Sequence, residues 1–223
     1  APSKPATPTT YADDVGTLQN ASSTAATTDD TKPGLNIGTG LSDTPSLYVD
    51  GVKVAATYDS VAGTLTPDVA LTEGLHQLSY SLTDAAGNEG VRSDDFGVTI
   101  DTTAPTISGV SASWGSSLNA TEDNADGTVT VTTAGAQDGQ TVSVTLNGQT
   151  YTGTVSGNSA SVTVSAAGLQ ALTDGQTYTL TANVSDAAGN AATPNTGTSF
   201  TVDTTAPSKP ATPTTYADDV GTL

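Results

Sequence analysis

The residues best equipped for chemistry in this chain are carboxylates, set in pairs and clusters. Asp13-Asp14 stand in "YADDVG", Asp29-Asp30 in "TTDDTKP", and Glu122, Asp123 and Asp126 in "TEDNADG". Asp84, Asp101, Asp186 and Asp203 belong to two recurring pentapeptides, and Asn190 closes one of them. Carboxylate and amide oxygens are hard donors. Gathered in one partly desolvated place, like charges repel strongly, and a hard cation relieves that better than protonation at neutral pH. Calcium takes about six to eight oxygen ligands from carboxylates, amide side chains, backbone carbonyls and water, whereas magnesium wants a tighter octahedron. The donor inventory matches calcium, provided the fold brings the acids together.

Other chemistries are poorly served. The chain has no cysteine or methionine and one histidine, His76, so disulfides, thiolate metal sites and multi-histidine sites are impossible within it. His76, in "GLHQLSYS", falls in a strand and reads as a surface or packing residue rather than a general base. The serines have neither a nucleophile elbow nor an evident base. Paired glycosidase carboxylates would need a cleft with aromatic platforms, and Trp114 is the only tryptophan. The chain is therefore not expected to be an enzyme or to take a small-molecule substrate. With 23 acidic and five basic side chains the net charge is −18, which repels polyanions and argues against nucleic acid as a partner. No apolar stretch is long enough to span a bilayer, so no membrane insertion is expected, and the first residues lack the regions of a signal peptide. The lack of thiols suits an oxidising exterior.

Hydrophobic content of 35% and aromatic content of 4% could describe a disordered chain, but the apolar residues are patterned and the pattern repeats. "DTTAP" occurs at Asp101–Pro105 and Asp203–Pro207, and "DAAGN" at Asp84–Asn88 and Asp186–Asn190, both displaced by 102 residues. Residues 206–223 repeat residues 1–18 letter for letter. The register places one module at 1–103, a second at 104–205 and the opening of a third at 206–223, as in a length cut from a tandem array of two alternating module types. The third opening lacks all later strands and is expected to be mobile or to borrow a neighbour's edge.

Within each module the apolar residues alternate with period two, as half-buried strands require. "TVSVTLNGQTYTGTV" puts Val142, Val144 and Leu146 on one face and turns at Asn147-Gly148, a pair that favours the type I′ hairpin turn. Asp50-Gly51 does the same in "LYVDGVKVAATY". In "QTYTLTANVSD", Tyr178, Leu180, Ala182 and Val184 share a side. In the second module seven strands are expected near 107–113, 127–133, 141–147, 149–155, 159–165, 176–185 and 197–203, with a helical turn over Ser165 to Leu172. The fold class expected is all-β: tandem immunoglobulin-like, Greek-key β-sandwiches of about seven strands each, joined end to end as an elongated rod. Pro105 and Pro207 stiffen the connectors.

That topology decides where the acids meet. In such a sandwich the A–B loop and the end of strand G share one pole, which gathers Asp13, Asp14, Asp29, Asp30 and Asp101. The next module's F–G loop, with Asp186 and Asn190, faces that pole across the linker. In the second module Glu122, Asp123 and Asp126 lie beside Asp203, with their partner loop in the module to follow. Asp218 and Asp219 copy Asp13 and Asp14. "DNADG" shares letters with a helix-loop-helix calcium loop, but its spacing and flanks are wrong, and it reads as an acid-rich turn.

"YADDVG", "TTDDTKP", "LTDAAGNEG" and "DTTAP" resemble signature segments of the bacterial immunoglobulin-like tandem repeats of giant calcium-dependent, type I-secreted (RTX-type) adhesins. The resemblance covers both modules and is strongest in the first; the second departs from it in its A–B segment. It implies calcium ligation by Asp13, Asp14, Asp29, Asp30, Asp84, Asp101, Asp186 and Asp203. It also implies structural extender repeats, rigidified at their junctions, that project a distal binding domain for cell adhesion or biofilm formation. The implied setting is extracellular, at the bacterial cell surface, with adjacent repeats of the same chain as partners and a monomer in solution. The glycine-rich nonapeptides of such adhesins do not occur here. The alternative is an immunoglobulin-like carbohydrate- or protein-binding module that itself contacts the adhesion target. Trp114 would then be an exposed anchor rather than a cap on the core. The alternating threonines read as solvent-facing strand surface rather than an ice- or carbohydrate-binding face.

Overall fold

Period-two alternation becomes strands wherever it runs for a few residues between turn signals. The computed structural model describes residues 1–214, and Asp218 and Asp219 lie outside them, as does the second half of the third opening, whose expected mobility or edge pairing therefore falls partly outside the described residues. The first sandwich comprises β1 (Tyr11–Asp13), β2 (Asn20–Ser23), β3 (Thr27–Thr28), β4 (Gly34–Asn36), β5 (Thr44–Val49), β6 (Val52–Val54), β7 (Ala56–Asp59), β8 (Thr64–Pro67), β9 (Gly74–Thr83) and β10 (Phe96–Ile100). One sheet runs β2-β1-β4-β8-β7 and the other β3-β10-β9-β5-β6. The second sandwich comprises β11 (Thr106–Ala112), β12 (Ser117–Asn119), β13 (Gly127–Ala134), β14 (Thr141–Leu146), β15 (Gln149–Ser156), β16 (Ser159–Val164), α1 (Ala166–Gln170), β17 (Thr177–Tyr178), β18 (Thr181–Val184), β19 (Asn195–Thr196) and β20 (Phe200–Asp203). Its sheets run β11-β13-β16-β15-β14-β18-β19 and β12-β20-β17.

Each sandwich thus has ten short strands rather than about seven: in the second, one expected strand breaks where the chain changes sheet, and the three- and two-residue strands β12 and β19 are added. The strand that breaks is the one expected at 176–185. Its first part, β17, pairs with β20, while its second, β18, pairs with β14. The alternation survives the break: Leu180, Ala182 and Val184 are buried and Thr177 and Thr179 exposed. The hairpin turns have the positive φ angles that type I′ demands, with 53° and 80° at Asp50-Gly51 and 49° and 76° at Asn147-Gly148. A third pair, Gly157-Asn158, does the same between β15 and β16 at 58° and 63°.

Tyr11, Leu35, Leu47, Leu65, Leu78 and Val98 fill the first core, and Leu118, Val129, Val131, Val142, Val144 and Phe200 the second. Trp114 is 5% exposed and packs edge-on against Phe200 at 5.3 Å and 70°, so it caps the core and is not an exposed anchor. β3 lies parallel to β10, pairing Thr28 with Ile100, and β12 lies parallel to β20, pairing Asn119 with Asp203. In a parallel pair both strands end at the same pole. The acids that follow each A–B strand therefore emerge beside the aspartate that ends strand G.

Candidate metal centre at the junction of the two sandwiches

At the pole of the first sandwich that faces the second, the backbone of "YADDVGTL" turns sharply. Gly16 has φ 69°, and a Cβ there would fall within 1.8 Å of Asp29 Oδ2. Only glycine lets the chain pass this close to a carboxylate. Asp13 ends β1 and is 4% exposed; its Oδ2 accepts the Thr28 hydroxyl at 2.8 Å. The same hydroxyl oxygen accepts Asp30 N at 3.0 Å, and Asp30 Oδ1 accepts Lys32 N at 2.7 Å. Asp30 is 3% exposed. Asp14 is exposed at the surface, and Asp101 is half-buried at the end of β10.

The second sandwich brings its "DAAGN" loop onto this pole. Thr17 Oγ1 donates to Gly189 O at 2.8 Å, and Asn190 Nδ2 donates to Asp101 O at 2.7 Å. Gly189, with φ 103°, sits against Leu18. Within the loop Asp186 Oδ1 accepts Ala188 N, Gly189 N and Asn190 N at 2.9–3.0 Å, and its Oδ2 accepts Asn190 Nδ2 at 2.9 Å. Asp186 therefore builds the loop, a role its sequence position alone does not announce. Thr17, Thr28 and Gly16 were likewise missed as site residues. The glycine after the aspartate pair was the available signal for Gly16.

Burial and the neighbouring carboxylates shape the electrostatics. Asp29 holds its proton to higher pH than an ordinary carboxyl, first because it is buried and then because Asp13 and Asp186 repel its charge. Asp30 is raised by burial and by the charges of Asp14 and Asp13, against the pull of the Lys32 N–H. No basic group among the described residues lies within ion-pair distance of Asp13, Asp29 or Asp30. Lys32 instead extends its ammonium to Asp68 O at 2.7 Å. Asp29 Oδ1 is buried with no hydrogen-bond partner. A buried, unpartnered carboxylate oxygen among other acids is what a hard cation would satisfy, so the donors present fit calcium in kind. Among the described residues, no three carboxylate or imidazole groups are drawn together tightly enough to enclose an ion. Asp13 alone of these acids borders the neighbouring cleft of about 390 Å³, which is also lined by Leu18, Asn20, Thr27, Ala187 and Ala188.

The remaining candidates lie at the outer poles. Asp84 occupies the loop position of Asp186 in the first sandwich; its Oδ1 accepts Ala86 N and Asn88 N, and the Ala1 amino group lies 3.6 Å from Oδ2. Its carboxyl is held below the usual range, chiefly by the Asn88 backbone and side-chain N–H groups. In the second sandwich, Glu122 Oε2 accepts Asn119 N at 3.1 Å and Asp126 Oδ1 accepts Ala166 N at 2.9 Å, tying the A–B segment to α1. Asp123 Oδ1 is buried without a partner, and Asp203 Oδ1 accepts Thr205 N at 3.3 Å.

A family model described as "Bacterial Ig-like domain" matches residues 3–102 and again residues 115–204. Among solved structures, fibronectin(III)-like modules of Clostridium thermocellum CbhA align at 14% identity over 80% of this chain and 88% of that one, with a TM-score of 0.50, a likeness of fold. An adhesin described as Ca²⁺-stabilised, by which an Antarctic bacterium binds ice, aligns at 28% identity over 91% of this chain, with a TM-score of 0.42. This chain spans about half of that structure, 51%. A bacterial immunoglobulin-like domain of the M. primoryensis ice-binding adhesin aligns at 33% identity over 44% of this chain and 95% of that one, with a TM-score of 0.33. No curated protein matches the chain.

Proposed function

The chain belongs to the bacterial Ig-like domain family, and from that premise we propose that it is a length of structural extender in a bacterial cell-surface adhesin. Modules at 1–103 and 104–205, with a third opening at 206–223, would be rigidified by calcium at their junctions and hold a distal binding domain away from the cell. The observation that carries this reading is the desolvated, unpaired carboxylate set at the junction. Asp13, Asp29 and Asp30 are nearly buried without a basic partner, and one oxygen of Asp29 has no partner at all.

Asp13, Asp14, Asp29, Asp30 and Asp101 of the first module and Asp186 and Asn190 of the second are the residues that would hold the ion. Calcium, when bound, would supply positive charge to offset the repulsion among these carboxylates. The chain's own contribution is to keep Asp13, Asp29 and Asp30 desolvated at one pole, through the Gly16 turn, the Thr28 hydroxyl and the parallel pairing of β3 with β10. Extracellular calcium modules work with dissociation constants of about 10⁻⁴–10⁻³ M. Sites in that range fill outside a cell and empty inside one. Binding to the folded state then adds stability by mass action.

The test is a thermal melt paired with small-angle scattering, in millimolar calcium, in excess EDTA and in magnesium. A calcium-specific rise in melting temperature together with a longer particle is expected. No change in either would leave the acids as solubilising surface and turn attention to the binding-module reading, which glycan arrays address.

A further inference from the structure

Both sandwiches grip their exit in the same way, through a carboxylate that stands outside the junction acid set. "LTEG" (Leu71–Gly74) leads into β9 and "LTDG" (Leu172–Gly175) precedes β17. Glu73 accepts three donors from the connector: Thr102 N at 3.1 Å, Thr102 Oγ1 at 2.7 Å and Thr103 Oγ1 at 3.1 Å. Asp174 accepts Thr204 N at 2.7 Å, Thr204 Oγ1 at 3.1 Å and Thr205 Oγ1 at 2.7 Å. In each case the preceding aspartate adds a bond of its own, Asp101 Oδ1 from Thr103 N and Asp203 Oδ1 from Thr205 N. Both carboxylates begin a turn completed by a glycine of positive φ, 117° at Gly74 and 76° at Gly175.

We infer that Glu73 and Asp174 are positioning residues that fix the direction in which the chain leaves each module, whether or not a cation is present. The inference deepens the spacer reading and rests on it, since a fixed exit matters to a rod. One carboxylate offers about four lone-pair sites, enough to take a backbone N–H and two hydroxyls at once, in bonds strengthened by its charge. Three bonds to two successive residues leave the connector little rotational freedom before Pro105 fixes the next φ. The carbonyl of Asp101, just upstream of the grip, is thereby held where Asn190 of the next module donates to it at 2.7 Å. The two threonines of "DTTAP" are explained by this contact, because both hydroxyls are used in both modules. Asp in one module and Glu in the other make the same set of bonds, so the carboxylate is the feature required.

The experiment measures residual dipolar couplings of the full chain in calcium and in EDTA, for the parent, Glu73→Ala and Glu73→Asp. In both solutions Glu73→Ala is expected to loosen the alignment of the second module relative to the first beyond that of the parent, while couplings within each module still fit that module. Glu73→Asp is expected to restore the parent's behaviour, as Asp174 suggests. Parent-like alignment in Glu73→Ala, or no rescue by Glu73→Asp, would overturn the assignment. If Glu73→Ala disrupts the first module itself, Thr103→Val removes one hydroxyl while leaving the carboxylate, and the same loosening is expected of it; unchanged alignment there would also overturn the assignment. The calcium reading is judged separately, by the parent in calcium against the parent in EDTA.

Discussion

At the level of single residues, Asp29 and Asp30 carry a pH signature opposite to that of a carboxylate held by hydrogen bonds. Asp29 and Asp30 have pKa values raised first by burial and then by neighbouring carboxylates, Asp13 and Asp186 for the one and Asp14 and Asp13 for the other, so between the unfolded value of about 3.9 and the raised folded values the native state binds more protons than the unfolded one. Without calcium, their contribution to stability is therefore expected to fall as pH rises through that window, and saturating calcium should remove the trend. Asp29→Asn in EDTA should melt above the parent at neutral pH, with the difference closing toward acid. A parent whose melting temperature in EDTA is flat across the window would contradict this. Glu89 behaves the other way. The Ser81 hydroxyl, then the Tyr48 hydroxyl and Lys53, hold its carboxyl down at about 2. Its contribution is full above the ordinary Glu value of about 4.3 and is lost as pH falls toward 2. The melting difference between the parent and Glu89→Gln should shrink over that same range.

Among the elements, the least legible were the shortest. β3 has two residues and no periodicity to reveal it, yet its parallel pairing with β10 brings Asp29 and Asp30 beside the end of strand G. The hairpins around Asp50-Gly51 and Asn147-Gly148 were legible because their turn chemistry is local. The break between β17 and β18 was not, since which sheet each half joins depends on β20 and β14, far along the chain. Gly127, which opens β13, illustrates how packing assigns a residue's meaning. A Cβ there would fall 2.4 Å from the Trp114 ring, so Gly127→Ala should destabilise the second sandwich by about 1–3 kcal/mol, as overpacked cores do. Urea unfolding followed by Trp114 fluorescence measures this, and an unchanged midpoint would mean that the indole has room to move.

For the molecule as a whole, the joint is where the proposed spacer function would be decided. Direct hydrogen bonds from Thr17 and Asn190 cross it, and the acid set lies beside them. Asp101→Ala combined with Asp186→Asn should abolish calcium-dependent lengthening in small-angle scattering while leaving each sandwich folded. The same extension as the parent would place the ion elsewhere. If repulsion among the junction acids bends the cation-free joint, raising monovalent salt in EDTA should screen it and lengthen the particle; a particle that shortens instead would mean that the net charge of −18 was holding the chain extended.

The sequence by itself determined the period of 102 residues, the all-β class, the hairpin turns and the polar, acidic character of the loops, because these follow from local backbone preference, alternation and counted charge. It also led to the expectation that the acids of each A–B segment share a pole with the end of strand G, since strand direction alternates. Only the tertiary structure decided what those acids experience. The two "DAAGN" loops have identical letters, yet Ala86 and Asn88 are exposed while Ala188 is buried and Asp186 is 1% exposed. The second loop is covered by Thr17 and Leu18 of the preceding module. Desolvation depends on which neighbour arrives, and that neighbour lies more than a hundred residues away in the chain.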